Sequence, residues 1–401
     1  MREELIRLEK VLQLVKDAVE VWKNQDNKEQ QLGMDIYTGI QDVNREIFGL
    51  PNLEDALVEE PVDKEDCFAG QVDKWLIYLQ KELETRKKIK KKIDYDFYVL
   101  TQHIRLSDEK ELLQEEIGNL CKIRQSDGKL YQQIIMFHNA YSHLWGKIDL
   151  DKGVWDILAD RAFQLKEHLE DFCWLYEELG DYRSKKVLYG ILHFWLTFDY
   201  KYKSTLRENN YSDYYDFDLL SCDENEVLVD LGAYTGDSAL SYIENFGVYK
   251  KLYCYEITES SLESMKERLE PYENIVIRNV AAGEENTTMY LQSQDSASSG
   301  NRIGEEGGIP VKVVRLDDDI VEPITLIKMD IEGSELAALK GAKEHIRKDK
   351  PKLAICTYHN NHHIWEVPRL MKELNPDYKL YMRYNGSFNG LAVSEYVTFA
   401  L

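Results

Sequence analysis

The sequence predicts an α/β fold: a mostly parallel, Rossmann-like sheet of seven strands, finished by an antiparallel C-terminal hairpin and preceded by an all-α region over 1–180. Three observations carry this. Beyond Tyr215, short β-branched runs alternate with helical ones, the signature of βαβ units with helices on both faces of a sheet. The last two strand candidates, 379–384 and 396–401, are joined by the polar turn 385–390, too short for a crossover helix, so they pair antiparallel. Before residue 180 the apolar residues recur at helical spacing instead.

In chain order, Leu5, Leu8, Leu12, Val15, Val19 and Trp22 form a heptad seam, which needs a partner helix. Leu32, Ile36, Ile40, Val43 and Ile47 supply one, giving a hairpin over 1–48; a homodimer through the same seam is the alternative. Pro51 and the acidic stretch 59–66 mark a connector over 51–68, followed by helices near 69–92, 108–124 and 129–144. The basic run 86–92 reads as a solvated helix face. A further helix over 154–178 turns Ile157, Leu158, Phe163, Leu165, Leu169 and Phe172 inward, and Asp181 N-caps a helix over 183–198 that opens the second domain, 181–401. There the strands are 227–231, 251–256, 275–280, 325–330 and 352–357, with helices from Asp237, Ser260, Ser334 and about His362. Ser260 and Glu263 form a capping box, and Gly341, inside a helical run, implies close packing. The Ser- and Gly-rich insertion 292–308 is a mobile loop able to close over a ligand.

Composition narrows the function. Fifty Lys and Arg against 73 Asp and Glu give a net charge of −23, which repels nucleic-acid backbones and anionic membranes. With 43% apolar and 11% aromatic residues the chain can build real cores. Cys67, Cys121, Cys173, Cys222, Cys254 and Cys356 are scattered singly, without metal or disulfide spacing, which points to a reducing compartment. The most apolar stretch, 189–198, is far shorter than the ~20 residues of a membrane span, so the expected location is cytoplasmic.

The first βα turn, Asp230-Leu-Gly-Ala-Tyr-Thr-Gly236, brings Gly232, Ala233, Tyr234 and Gly236 to the carboxyl edge of the sheet, where glycine lets backbone approach a ligand. Tyr234 stands where a dinucleotide motif has glycine, and Asp237 opens the helix, where its charge would repel a pyrophosphate. S-adenosylmethionine, cationic and free of phosphate, suits Asp230 better. Glu256 lies twenty positions beyond Gly236, where a carboxylate can accept from two ribose hydroxyls. Ile257, Val280 and Ala281 then flank the adenine.

These segments, with 251–257, 298–302 and above all Ile327-Lys-Met-Asp-Ile-Glu-Gly-Ser-Glu335, resemble the FkbM-type family of S-adenosylmethionine-dependent methyltransferases; the likeness runs from about residue 181 to 401 and includes Tyr358-His359. The resemblance implies a class I methyltransferase fold and O-methylation of a hydroxyl on a sugar, glycan or secondary metabolite.

Such a transfer needs alignment and a base for the hydroxyl proton. Asp330 and Glu332 beyond the fourth strand and His359 beyond the fifth form the acid/base set, with His359 the preferred base because imidazole titrates near neutrality. Lys328 points to the same strand face as Asp330 and is expected to pair with it. Arg302, Asn360 and His362 are candidate acceptor contacts. Asp330, Glu332 and His359 could instead hold a hard divalent ion, which a single carboxylate pair does not favour. Two rival functions stay open at this point: N- or carboxyl-methylation of a peptide or small molecule, and a catalytically idle scaffold whose N-terminal helices recruit a partner protein.

Overall fold

The computed structural model describes residues 2–23, 68–207, 214–292, 302–306, 308–384 and 391–401. They form two compact units: Met1–Glu115 with Leu165–Leu169, and Glu116–Gln164 with Glu170–Leu401.

In the first unit, helix α1 (Arg2–Lys23) lays Leu8, Leu12 and Val19 of its heptad seam against Leu79 and Leu83 of α2 (Phe68–Lys88). The expected partner at 32–47 and the connector up to residue 67 lie outside the described residues. Helix α3 (Lys92–Leu106) was not anticipated, and the basic run before it is not wholly solvated. Arg86 is fully buried, its Nε 2.7 Å from Glu82, whose other oxygen accepts from Tyr98 Oη at 2.6 Å. A guanidinium can hide in this way because a carboxylate shares its burial, a pairing no charge count reveals.

The second unit begins with the end of α4 (Glu109–Ser126) and continues through α5 (Gly128–Ala140), the short α6 (Ser142–Trp145) and a two-residue strand pair, β1 (Ile148–Asp149) and β2 (Val154–Trp155). The single helix expected over 154–178 is two, α7 (Asp156–Glu167) and α8 (Leu169–Glu178), and Phe163 faces outward at 42% exposure. Asp181 caps α9 (Tyr182–Thr197), accepting from the Ser184 amide at 2.8 Å; the four-residue α10 (Tyr200–Lys203) follows.

The sheet region then runs β3 (Val227–Leu231), α11 (Asp237–Phe246), β4 (Lys251–Tyr255), α12 (Glu259–Leu269) and β5 (Ile275–Arg278). Four further strands, β6 (Ala281–Ala282), β7 (Thr287–Gln292), β8 (Arg302–Gly304) and β9 (Ile309–Val314), form a second sheet in the order β6-β9-β7-β8. Of the stretch 292–308 expected to be a loop, Gln292 ends β7 and Arg302–Gly304 forms β8, while 293–301 and 307 lie outside the described residues. After α13 (Leu316–Asp319) come β10 (Leu326–Met329), α14 (Glu335–Gly341), α15 (Lys343–Asp349), β11 (Lys352–Cys356), α16 (His363–Leu374), β12 (Leu380–Tyr384) and β13 (Tyr396–Ala400).

The main sheet has the order β12-β13-β11-β10-β3-β4-β5. Pairing is parallel from β11 through β5, while β13 runs antiparallel to both β11 and β12, so the sheet is mixed. Strands β3 and β10 are buried along their whole length, as strands covered by helices on both faces must be. Two local expectations are corrected or explained. Helix α12 starts at Glu259 behind Thr258, with no side-chain cap, so the Ser260 capping box is not its start signal. Gly341 is required because a Cβ there would come within 1.9 Å of the Gly283 carbonyl oxygen.

Candidate active site

The carboxyl ends of β3, β4 and β10 open on a cavity of about 380 Å³. On the β3 side the chain leaves the sheet through Gly232 at φ +74°, where a Cβ would lie 1.8 Å from the Asp330 carbonyl oxygen, so only glycine fits. Tyr234 at φ +45° and Gly236 at φ +79° complete the turn. Glu256 locks it: one carboxylate oxygen accepts from the Tyr234 amide at 3.0 Å, the other from the Ile257 and Thr258 amides at 2.8 and 2.7 Å. Gly232, Tyr234, Asp237, Glu256, Ile257, Val280 and Ala281 line the cavity; Asp230, Ala233 and Gly236 stand behind it.

Asp230 is fully buried and already matched. Lys328 Nζ lies 2.9 Å from one oxygen and Ser238 Oγ donates to the other at 2.5 Å. The expected Lys328–Asp330 pair is thus a Lys328–Asp230 pair, because β10 lies beside β3 with Lys328 directly opposite Asp230. Lys328 also donates to the Gly232 carbonyl at 2.8 Å. Burial alone would lower its pKa, but Asp230 and then Asp330 outweigh that and raise it. Asp230 therefore has its cation within the protein and is not free to meet one on a ligand.

Beyond β10 the site is built from charged side chains. Asp330 accepts from Tyr214 Oη at 2.6 Å and from Tyr358 Oη at 3.3 Å, and His359 Nε2 lies 3.2 Å away. Burial pushes its pKa up, yet the hydrogen bond and charge of His359, with Lys328 and Tyr214, hold it at about 2. Glu332 sits at φ +53°, a strained value for a non-glycine residue, and its carboxylate is 3.6 Å from His359 Nε2. Burial dominates there, raising its pKa to about 7 despite the nearby imidazole.

His359 itself has no exposed surface and is not in the cavity wall. Its Nδ1 is 2.8 Å from Glu335, a fully buried carboxylate that sequence reasoning missed. Desolvation works against charging this ring, but Glu335 first and Asp330 next raise its pKa well above the ordinary value. Of the expected acid/base set, Asp330 and Glu332 line the cavity and His359 does not. The donor atoms of Asp330, Glu332 and His359 lie within 4.8 Å of one another, the one such grouping found among the described residues. Asn360 Nδ2 lies 3.3 Å from His363 Nε2, and His362, at the start of α16, lies 3.8 Å from Glu366; neither lines the cavity. Arg302 begins β8, and its side chain lies outside the described ones.

The opposite wall comes from the helices before the sheet. Phe137, Tyr141 and Trp145 stand at helical spacing across α5 and α6, ring centroids 5.0 to 6.1 Å apart, and with Leu144 they close the cavity. Trp145 Nε1 donates to the Tyr358 carbonyl at 3.0 Å, tying this wall to the β11 edge. The i, i+4, i+8 aromatic stripe was the available signal for it, and it reads equally as an ordinary helix face. Tyr214, Tyr358 and Glu395 are further wall residues that local spacing does not reveal.

With this geometry in view, residues 230–387 match the methyltransferase FkbM domain. The sheet region is thus similar to an FkbM-type methyltransferase domain. Among solved structures, the methyltransferase FkbM of Methylobacillus flagellatus KT is 27% identical with a TM-score of 0.53, over 62% of this chain and 63% of that one. The alignment thus spans less than two thirds of that protein's length. An rRNA methylase from Streptococcus thermophilus (16% identity, TM-score 0.30, 44% of this chain and 87% of that one) matches more weakly. So does a putative methyltransferase from Streptococcus mutans in complex with SAH (16% identity, TM-score 0.29, 44% and 89%). No curated protein matches significantly. Together the FkbM matches identify a methyltransferase-like α/β fold with a mixed sheet and a helical N-terminal region. Among the described residues no helix is long and apolar enough to cross a membrane.

Proposed function

We propose that this protein transfers a methyl group from S-adenosylmethionine to a hydroxyl of a sugar, glycan or secondary metabolite. The observation that carries the reading is a single cavity with a glycine-lined backbone turn under Glu256 on one side and Asp330 with Glu332 on the other. The strand order, with one antiparallel strand inserted beside the last, agrees with a class I methyltransferase sheet.

The residues present fit the cofactor. Gly232 leaves space a Cβ would fill, Glu256 is oriented by three amides with lone pairs to spare for ribose hydroxyls, and Val280 and Ala281 offer an apolar face for a base. When bound, S-adenosylmethionine supplies the methyl group on a sulfonium. The chain's own residues then hold the acceptor and manage its proton. Phe137, Tyr141 and Trp145 present flat faces suited to the apolar side of a ring, and their side of the cavity excludes water. Glu332, with its pKa near 7, takes the hydroxyl proton, while Asp330, ionised at any working pH, accepts a hydrogen bond that orients the acceptor.

The test is a calorimetric titration with S-adenosylhomocysteine. Wild type should bind with micromolar affinity, Gly232→Val should abolish binding, and Glu256→Ala should weaken it by ~1–3 kcal/mol, the worth of lost charge-assisted hydrogen bonds. No binding to folded wild-type protein would retire the reading.

A further inference from the structure

Glu335 is the first residue of α14, fully buried, and belongs neither to the cavity wall nor to the strand that precedes it. A buried carboxylate beside a reactive edge needs a reason, and its contacts supply one. The oxygen that meets His359 Nδ1 at 2.8 Å also accepts from the Ile331 amide at 3.1 Å and the Gly333 amide at 3.4 Å. Those two amides bracket Glu332. The second oxygen lies 3.1 Å from His363 Nδ1 on α16. One carboxylate thus holds the turn in which Glu332 takes its strained φ of +53°, and also the ring whose Nε2 faces Asp330 and Glu332. A non-glycine residue keeps such a backbone only where its surroundings over-determine it, and Glu335 is the group that does so here.

We propose that Glu335 is the positioning residue of the site: through the 331 and 333 amides and through His359 Nδ1 it aims the Glu332 carboxylate into the cavity and fixes the imidazole beside it. The inference rests on the methyltransferase reading for its purpose, but its physical content does not. The groups facing His359 and Glu332 are Asp330 and Lys328 on the β10 side, Glu335 and His363 behind the ring, Tyr214 and Tyr358 on Asp330, and Glu395 from the segment before β13. Lys328 is committed to Asp230, so the cation next to Glu332 is the ring. With Glu335 bound to Nδ1, Nε2 is turned toward two carboxylates, Asp330 at 3.2 Å and Glu332 at 3.6 Å. This is the arrangement that a divalent ion, which needs a bare Nε2 lone pair, would have to displace.

The experiment is nitrogen NMR on ¹⁵N-histidine-labelled full chain, with His359→Asn to assign the ring, in wild type and in Glu335→Gln and Glu335→Asp. Wild-type His359 should show both nitrogens protonated at pH 7. Glu335→Gln keeps the volume and loses the charge, and should lower the proton affinity of the ring at least tenfold. Glu335→Asp keeps the charge, retracts it by one methylene, and should give an intermediate value while serving as the folded control if Gln does not fold. S-adenosylhomocysteine titration of the same variants should be unchanged within about threefold, since Glu335 does not touch the cofactor half; loss of binding in wild type would strike the functional reading and leave the NMR result standing. A wild-type ring that is neutral at pH 7, a titration unmoved by Glu335→Gln, or His359 resonances shifted by millimolar Mg²⁺ would each overturn the proposal.

Discussion

On the β3–β4 side of the cavity the surface offered to a ligand is largely backbone: the turn 232–236 with its glycines, braced by the Glu256 carboxylate on three amides. On the β10–β11 side it is ionisable side chains, with Asp330, Glu332 and Glu335 each within hydrogen-bond or ion-pair reach of His359. The first side is specified by shape, since a single added carbon at 232 collides with Asp330. The second is specified by a charge balance, in which each group's ionisation depends on its neighbours. Shape constraints are local in sequence and can be read from a glycine pattern. Charge balances depend on residues far apart in the chain.

The largest expected effect breaks the division between the two sides, because one buried ion pair belongs to both. Lys328 of β10 neutralises Asp230 of β3, and removing one partner of such a pair strands a charge. Lys328→Met should cost ~3–5 kcal/mol in urea unfolding, and adding Asp230→Leu should recover much of it. If Lys328→Met were neutral, the two sides would be electrostatically independent.

A smaller effect sharpens the contrast. Glu332 has an ordinary pKa of 4.5 when unfolded and about 7 when folded, so the folded chain holds the extra proton between these values. Its ionised form therefore subtracts stability progressively from pH 4.5 to 7, and fully above 7. Glu332→Gln should stabilise the fold by ~1–3 kcal/mol at pH 8.5, by less at pH 5.5, and leave S-adenosylhomocysteine affinity untouched. Denaturant melts at the two pH values read this directly; a pH-independent gain would mean that the carboxyl is not desolvated.

The smallest effect concerns the helical wall. Trp145→Phe keeps the ring and loses the indole donor to the Tyr358 carbonyl, worth ~0.5–1.5 kcal/mol of stability. Cofactor affinity should not change while acceptor KM rises; a change in cofactor affinity instead would assign this wall to the other half.

Strands and helices of the sheet were legible because each is short, apolar and punctuated, and the strand positions agree with the sequence to within two residues at either end. The candidate residues of the turn and of the 330–332 segment were legible for the same reason. The partners were not. Tyr214 meets Asp330 across 116 positions and Glu335 meets His359 across 24, and no local pattern signals either. His359 was read as a base from its chemistry alone, and its full burial beside Glu335 and Asp330, whose charges raise its pKa against desolvation, was not visible in the sequence. The pairing of Lys328 needed the register of β10 on β3, which a single strand cannot disclose.

The placement of β13 has a kinetic consequence. Strand β13, made after β12, lies inside the sheet, between β11 and β12, rather than at its rim. Until residues 396–400 are available, β11 has an unpaired edge and β12 has no neighbour in the sheet. Pairing can run ahead through β5, β4, β3, β10 and β11 during synthesis, but this edge of the sheet is completed only when β13 reaches both β11 and β12. Nascent chains stalled before residue 396 should therefore be the ones most prone to aggregate and most dependent on chaperones, and a synonymous slowing of translation there would lengthen that window without altering any residue of the finished molecule.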